Sequence, residues 1–396
     1  MIKNNEYSFV TILAFVNIFF IGSTVFLLSA TKTNLMEAYS IGLAQIGLLI
    51  TVRGMVNIVL PMIFGKLSDK IGRRPVIVSG IALFLLSYLA VASFSSYYFL
   101  VMTIMVMGVG FSLIDAASQA TVFDAHEDPM PFMPFMQVAF ATGALSAPLF
   151  VSILLEREID WRVAYYVYAV LVAILLFMLL KAKFPPLARE KKKESTVIAL
   201  KKLPAFRREG LTLCAFIFFI TIVNSTISEW GDIYFRDVYN FSHVWSVRAL
   251  SFFQMGCLLG ALVNYWLSSK RKIHPSRILN KELLIALVAF CASLFLDNGI
   301  LAMTLFIVIG MCVGTLFSMT VGIMGTLFRE NSGVATGAIF SAGSIGVALS
   351  SAIVGNLIDT VGIDSIFVVL AFVILAALIM SVIIKKQYDR LIGRES

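Results

Sequence analysis

Long apolar runs separated by short polar segments follow one another along the whole chain. A helix of about 20 apolar residues is long enough to cross the hydrocarbon core of a bilayer, which is about 30 Å thick. We expect helices because a helix satisfies its own backbone polar groups, which lipid cannot do. The pattern therefore predicts an all-α polytopic membrane protein with twelve transmembrane helices. The runs lie at approximately 9–30, 41–64, 75–93, 97–123, 132–155, 163–183, 209–231, 242–267, 281–296, 300–327, 332–356 and 363–385.

The chain also repeats itself at a spacing close to 200 residues. The matched segments are 11–15 with 212–216, 67–75 with 267–275, and 140–143 with 340–343. Each match is short, but their shared offset predicts two pseudo-symmetric six-helix bundles. We place the bundles at 1–183 and 209–396, joined by a polar cytoplasmic linker at 184–208. In such two-bundle proteins a binding site is expected where the halves meet, near the middle of the membrane.

Charge supports the membrane assignment and predicts an orientation. Asp, Glu, Lys and Arg make up 14% of the chain, against about 25% in soluble domains. The basic residues concentrate at both termini and in alternate loops, whereas the opposite loops hold Lys32, Arg157, Arg162 and Arg236. Because basic loops stay in the cytoplasm, both termini are expected there, in a multi-pass protein of the cytoplasmic membrane. The net charge of +8 follows from this topology and predicts no nucleic-acid partner.

A polar segment at 65–75, GKLSDKIGRRP, separates the second and third apolar runs. Gly65 and Gly72 permit tight turns near a neighbouring helix, and Asp69 can sit at the positive N-terminal end of another helix. Arg73 and Arg74 can pair with acids or lipid phosphates. The segment resembles the loop signature of the major facilitator superfamily. That resemblance implies a secondary transporter that works by alternating access, with this loop acting as a gating element.

Asp115 is an acid inside the fourth apolar run, and an ionisable residue there is a candidate functional site. Gln119 follows one helical turn later, so both side chains share a face. A carboxylate that exchanges a proton, beside an amide that binds hydroxyl groups, suits proton-coupled sugar binding. The alternative is structural: Asp115 pairs with a basic residue and Gln119 bridges helices. This segment and 137–148, which begins at Gln137, resemble the fucose/sugar:proton symporter family, and that resemblance makes Gln137 a solute-binding candidate.

Further polar residues in apolar runs are candidates for solute binding or proton coupling. Arg53 needs a partner, and we expect Asp115 to provide it, or else Arg53 is structural. Glu229 is a second proton-coupling candidate, with a solvated helix end as the alternative. Trp230 can stack on a sugar or lie in the membrane interface. The remaining solute-binding candidates are Asn17, Asn224 and Gln254.

Other functional classes fit the sequence less well. His126, His243 and His274 fall in or beside loops on two sides of the membrane, so we expect neither an enzyme nor a metal site. The chain has no phosphate-binding Walker loop and no cofactor is expected. The predicted function is proton-coupled transport of a small polar, sugar-like solute by a monomer in contact with lipid. The alternatives are proton-driven drug or metabolite efflux and, more remotely, a sensor or scaffold of transporter ancestry.

Overall fold

The structure is a computed structural model that describes residues 7–94, 96–126, 132–186, 204–269, 275–328 and 332–392. Within these residues the chain is helical throughout and contains no strand. A short π-helical turn at Phe206–Gly210 leads into α7. The helices are α1 Ser8–Tyr39, α2 Leu43–Ile71, α3 Arg73–Ser93, α4 Tyr97–Ala125, α5 Met133–Glu156, α6 Arg162–Lys181, α7 Leu211–Tyr239, α8 His243–Ser269, α9 Pro275–Leu294, α10 Gly299–Val313, α11 Leu316–Leu327, α12 Ser332–Val361 and α13 Ile363–Ile392.

These helices form the predicted all-α membrane fold. In the described part of the chain, 11 helical segments are long and apolar enough to cross a membrane. Helices α10 and α11 share one of them, Gly299–Met324, which is interrupted at Gly314 and Thr315. Helix α9 is not among these segments, because Arg277, Lys281 and Glu282 make it less apolar. The arrangement is consistent with twelve crossings in a multi-pass membrane protein.

Several helices run further than the apolar pattern predicts, and the extensions of α1 and α7 contain cations. Helix α1 continues to Tyr39, so Lys32 lies inside it and is 1% exposed. Helix α7 continues to Tyr239 and includes Arg236. The placement of Lys32 and Arg236 in loops was therefore wrong. The physical reason is that the apolar run ends where side chains begin to contact other helices, while the helical backbone itself continues.

Helices α1 and α5 pack closely because glycine lines their contact. A Cβ atom on Gly143 would lie 2.8 Å from the backbone carbon of Phe19, so only glycine fits there. The two predicted halves meet along α2 with α12 and along α5 with α8. At the first of these contacts, a Cβ on Gly47 would lie 2.8 Å from Gly355 Cα. Close backbone approach therefore holds both the first half and the contact between halves.

The loop at 65–75 is shorter than its sequence suggests. Gly72 has φ +99° and forms the turn between α2 and α3, as predicted. Gly65, in contrast, lies inside α2, and a Cβ there would meet nothing within 4 Å. The expectation that Gly65 makes a tight turn was therefore wrong. Residues 187–203 of the predicted linker at 184–208 lie outside the described residues. So do residues 270–274, which include His274 and the middle of the repeat segment 267–275.

Candidate functional site

The polar loop after α2 forms a cluster within the first half. Arg73 Nη1 donates to Asp69 Oδ1 at 2.5 Å, and Arg73 Nε donates to Asp124 Oδ2 of α4 at 2.7 Å. Arg74 donates to the backbone carbonyl of Leu180 at the end of α6. The side chain of Asp69 is 64% exposed. In this conformation Asp69 therefore meets Arg73 of its own loop. Sequence reasoning missed Asp124, because an acid near a helix end looks like an ordinary solvated residue.

Asp115 and Gln119 lie together on α4, as their spacing predicts. Gln119 Nε2 donates to Asp115 Oδ1 at 2.8 Å. Asp115 is not the partner of Arg53, so that expectation was wrong. Arg53 instead pairs with Glu229 on α7, with Nη2 2.5 Å from Oε1. The described contacts therefore show no basic partner for Asp115.

Four charged side chains meet between α1, α2 and α7, and we call them the charged cluster: Lys32, Arg53, Glu229 and Asp232. Lys32 Nζ lies 2.5 Å from Asp232 Oδ1, beside the Arg53–Glu229 pair. Their side chains are 1%, 7%, 3% and 4% exposed, respectively. Buried charges lose hydration, so such pairs persist only with close geometry and further hydrogen bonds. The alternative for Glu229, a solvated helix end, is therefore wrong.

Further hydrogen bonds and a cation–π contact stabilise the charged groups of the cluster. The Ser29 hydroxyl donates to the second carboxylate oxygen of Glu229, and the Lys32 ammonium donates to the Glu229 backbone carbonyl. Lys32 Nζ also lies 5.3 Å from the ring centroid of Trp230, within cation–π range. Trp230 is fully buried, so it is not a membrane-interface residue. Glu229 thus accepts bonds from both neighbouring helices of the first half.

The two sides of the cluster have matching spacing. Ser29 and Lys32 are three residues apart on α1, and Glu229 and Asp232 are three apart on α7, so each pair shares one helix face. Ser29 contacts Glu229 at a separation of 200 residues, and Lys32 contacts Asp232 at the same separation. That separation is one residue less than the offset between the matched segments of α1 and α7, 11–15 and 212–216, which is 201. Positions within one residue of equivalence therefore face one another.

The remaining candidates lie outside this cluster. Asn17 Nδ2 donates to Ser118 Oγ at 3.0 Å across α1 and α4. On the α7 side, Gln254 Nε2 donates to Ser228 Oγ at 3.5 Å, and Ser228 donates to Asn224 Oδ1 at 3.2 Å. Gln137 is half-buried on α5. The structure thus brings Arg53, Glu229 and Trp230 together and places the other candidates on neighbouring helices.

We call the Tyr39 end of the bundle the far end, and the opposite end, which carries Asp69, the loop end. Polar contacts join the halves at the far end, where Arg236 Nη1 donates to Thr33 Oγ1 at 3.4 Å and His243 Nε2 lies 3.2 Å from Asn34 Oδ1. Arg248 of α8 pairs there with Glu156 of α5. Contacts between α2 and α12 continue inward to Ser341 Oγ, which donates to the Ile58 carbonyl. The far end of the molecule is therefore closed.

The sequence profile described as Major Facilitator Superfamily matches residues 10–297, most of the chain. The chain belongs to this superfamily. Membership agrees with the loop segment at 65–75 and confirms the resemblance on which the fold was predicted.

Characterised and uncharacterised members of the superfamily are similar in sequence. The chain is 24% identical over 262 residues to "Uncharacterized MFS-type transporter YfkL" of Bacillus subtilis (strain 168), covering 64% of this chain and 66% of the relative. It is 24% identical over 269 residues to "Inner membrane transport protein YdiN" of Escherichia coli (strain K12), covering 65% and 63%. The matched region thus spans just under two thirds of the length of these relatives.

Two further similarities concern a shorter segment and the overall fold. The chain is 30% identical over 118 residues to "Multidrug transporter MdfA" of Yersinia pestis bv. Antiqua (strain Angola), covering 29% of this chain and 28% of the relative. The fold matches the crystal structure of a point mutant of the nucleoside transporter NupG, with a TM-score of 0.71 and 14% identity. That match covers 96% of this chain and 100% of the other. The likeness establishes the superfamily fold over nearly the whole chain.

Proposed function

We propose that this protein is a proton-coupled secondary carrier that moves a small polar organic solute across the cytoplasmic membrane by alternating access. The observation that carries the proposal is the charged cluster, which joins the two halves through buried ion pairs. Arg53 lies ten residues into α2, about 15 Å from its start at the helical rise of 1.5 Å per residue. The cluster is therefore deep in the membrane, where the solute site of a two-bundle carrier is expected.

Alternating access requires the contact between halves to form and break. The closed far end is one of the two states that such a cycle needs, with the Lys32–Asp232 and Arg53–Glu229 pairs holding it shut. In the other state these pairs separate, because α1 and α2 belong to one half and α7 to the other. On the orientation that the basic loops predict, the far end faces the outside, so this conformation is the one closed on the outside.

Two acids are suited to couple this cycle to protons. Protonation of Glu229 would remove the charge that Arg53 binds and weaken closure of the far end. Asp115 lies on α4, where the Gln119 amide is its described polar partner and no described cation pairs with it. A carrier in which both acids exchange protons during the cycle would link solute movement to the proton gradient.

A sugar-like solute is our first candidate, since the Asp115–Gln119 pair resembles that of sugar:proton symporters. The fold match to a nucleoside transporter is in keeping with a small polar solute. Export of drugs or metabolites is the second candidate, and the segment similar to MdfA favours it. A non-transporting sensor would bind solute without moving it.

Counterflow in proteoliposomes tests these candidates. Purified protein is reconstituted, loaded with unlabelled sugars, nucleosides or cationic dyes, and supplied with a trace of the labelled compound outside. We expect exchange of one class, and net accumulation of that class when a pH gradient is imposed. Protein-free liposomes are the control for leakage. Binding of a compound without exchange of any compound would contradict carrier function and favour the sensor.

A further inference from the structure

The charged cluster has two sides, which we call its walls: α1 and α2 form one wall and α7 forms the other. The two walls carry opposite charges. Both cations, Lys32 and Arg53, belong to α1 and α2, and both acids, Glu229 and Asp232, belong to α7. Any motion that separates these walls breaks both ion pairs together. It leaves two cations on one wall and two carboxylates on the other, and unpaired buried charge is costly. A solute that enters between the walls is favoured if it supplies the missing charge.

The cluster contains buried hydrogen-bond donors that have no acceptor in the part of the chain that the structure describes. Arg53 Nη1 and Trp230 Nε1 are both buried donors without a hydrogen-bond acceptor among the described residues. The two carboxylate oxygens of Glu229 already accept from Arg53 and Ser29. Asp232 Oδ1 lacks a well-angled hydrogen bond but lies 2.5 Å from Lys32 Nζ, so its charge is paired. A guanidinium with a free nitrogen is suited to two-point binding of a carboxylate or phosphate.

Building on the proposed carrier function, we propose that the solute carries an anionic group, a carboxylate or phosphate, which Arg53 and Lys32 bind in place of the α7 acids. Glu229, released from Arg53, takes up one proton, so that one negative charge and one proton enter the cluster together. The charge of the site is then unchanged on loading. This balance gives a physical reason for proton coupling: the anion can replace the carboxylate only when the carboxylate is neutralised.

Several charged groups surround Glu229 and set its proton affinity. Lys32 on α1 and Arg53 on α2 face it, and Asp232 lies one turn away on its own helix. Further toward the far end, His243 on α8 lies within electrostatic range of Asp232, Lys32, Arg236 and Glu37. The two cations in direct contact balance the charge of the carboxylate. Once the solute anion binds them, a proton on Glu229 is what keeps the charge of the site balanced.

Ligand-induced thermal stabilisation of the purified protein tests the proposal, since a ligand that binds the folded state raises the unfolding temperature. Two series of compounds serve as probes, and within each series the scaffold is similar while the charge differs. The first is glucose, glucuronate, glucose 6-phosphate and glucosamine. The second is benzyl alcohol, benzoate, phenyl phosphate and benzylamine. We expect stabilisation by at least one anion and a weaker effect of its neutral and cationic counterparts. The acid and phosphate members separate the two anion types. Failure of all four anions to stabilise the protein overturns the proposal.

Binding measurements on variants test whether the anion binds at the charged cluster. Arg53→Gln is expected to weaken anion affinity at least ten-fold, whereas Arg248→Gln, which removes another arginine paired across the halves, retains it. Glu229→Gln mimics the protonated acid and is expected to bind the anion at least as tightly as wild type, with less dependence on pH. A misfolded variant would instead lose affinity. Equal loss in Arg53→Gln and Arg248→Gln, or loss in Glu229→Gln, overturns the assignment.

Counterflow separates this proposal from the carrier function on which it rests. Anion binding without flux of any compound contradicts the carrier function but leaves the anion site in place. Exchange of neutral or cationic members, with no stabilisation by any anion, overturns the anion assignment and leaves the carrier function in place.

Discussion

Glu229 connects the two ion pairs of the charged cluster into one unit. Its carboxylate binds Arg53 and Ser29, and its backbone carbonyl accepts from Lys32, which also pairs with Asp232. Charged groups buried in this way depend on one another, since removing one partner exposes the other to an apolar surrounding. The stability of each pair is therefore tied to the position of α7 against α1 and α2.

The first prediction concerns the Lys32–Asp232 pair. Lys32→Met leaves Asp232 buried without its cation, so we expect a loss of stability of about 3–5 kcal/mol, and the double variant with Asp232→Leu to recover much of it. Thermal unfolding in detergent measures both. Arg162→Met is the matched control, because its pair with Asp160 is exposed and worth about 0–1 kcal/mol. If Lys32→Met were no more destabilising than this control, the buried pair would not hold the far end.

The second prediction concerns Asp115. Asp115→Asn removes the titrating proton but keeps a polar group beside Gln119, so pH-driven accumulation should be lost while counterflow exchange persists. Transport with and without an imposed pH gradient measures the two activities separately. The control is Asp124→Asn, the acid near the end of the same helix that binds Arg73 and lies away from the cluster. Unchanged accumulation in Asp115→Asn would show that the coupling proton binds elsewhere.

At the scale of helices, glycine decides which surfaces can come together. Gly143 on α5 faces the backbone of Phe19 on α1, where a Cβ atom would be only 2.8 Å from the backbone carbon. Gly65 lies in α2 with open space around its Cα. The two positions therefore differ in packing although both are helical glycines.

The third prediction uses this contrast. Gly143→Ala should destabilise the protein because α1 and α5 must move apart, whereas Gly65→Ala should leave stability unchanged or raise it by up to about 1 kcal/mol through lower backbone entropy in the unfolded chain. Thermal unfolding of the two variants side by side provides the comparison. Equal stability of both variants would contradict the close packing of α1 on α5. Loss of transport in a stable Gly65→Ala would show that the glycine serves motion of the loop.

The helices also show what the sequence could predict. Apolar runs identified the crossings, because burial in lipid demands continuous apolar helix. They failed at the end of α1, where Lys32 ended the run although the helix continued to Tyr39. Hydropathy cannot distinguish a loop cation from one buried against an acid of the other half. The packing of α1 against α7 supplies that information, since it places Lys32 opposite Asp232.

Sequence predicted the parts of the site that lie on one helix and missed those that depend on packing between helices. Asp115 and Gln119 share a helix face, so spacing alone placed them together. Arg53 and Glu229 were recognised separately as charges in apolar helices, but their pairing depends on how α2 meets α7. Sequence spacing does not contain that contact. Glycine at 65 matched the loop signature, yet the turn forms at Gly72, where φ is positive.

At the scale of the whole molecule, the closed far end and the loop cluster are at opposite ends of the bundle. Asp69 is exposed here and bound to Arg73, which also holds Asp124. A group can shift the equilibrium between two states only if its contacts differ between them. We therefore expect Asp69 to act in the state that is closed at the loop end, where its carboxylate can reach a helix end of the second half.

The last prediction follows from this asymmetry. Asp69→Asn should raise the population of the conformation seen here, closed at the far end, because this state loses only an exposed pair with Arg73 whereas the other state loses a contact that closes the loop end. A charge at a helix end contributes about 0.3–1 kcal/mol when exposed and up to about 2 kcal/mol when partly buried, so the shift should be several-fold. Spin labels at Lys181 and Arg207 report the loop end, and labels at Glu158 and Asp297 report the far end. Both pairs are placed on a background without the four native cysteines.

Distance distributions from these labels distinguish gating from a local structural role. Asp160→Asn is the matched control, an exposed aspartate bound to a nearby arginine at the far end, and it should leave the distributions as in wild type. In Asp69→Asn, the labels at the loop end should more often be far apart. The labels at the far end should more often be close together. If transport fell while both distributions matched wild type, Asp69 would support transport without controlling the conformational equilibrium. The loop would then owe its role to the bonds of Arg73 within the first half.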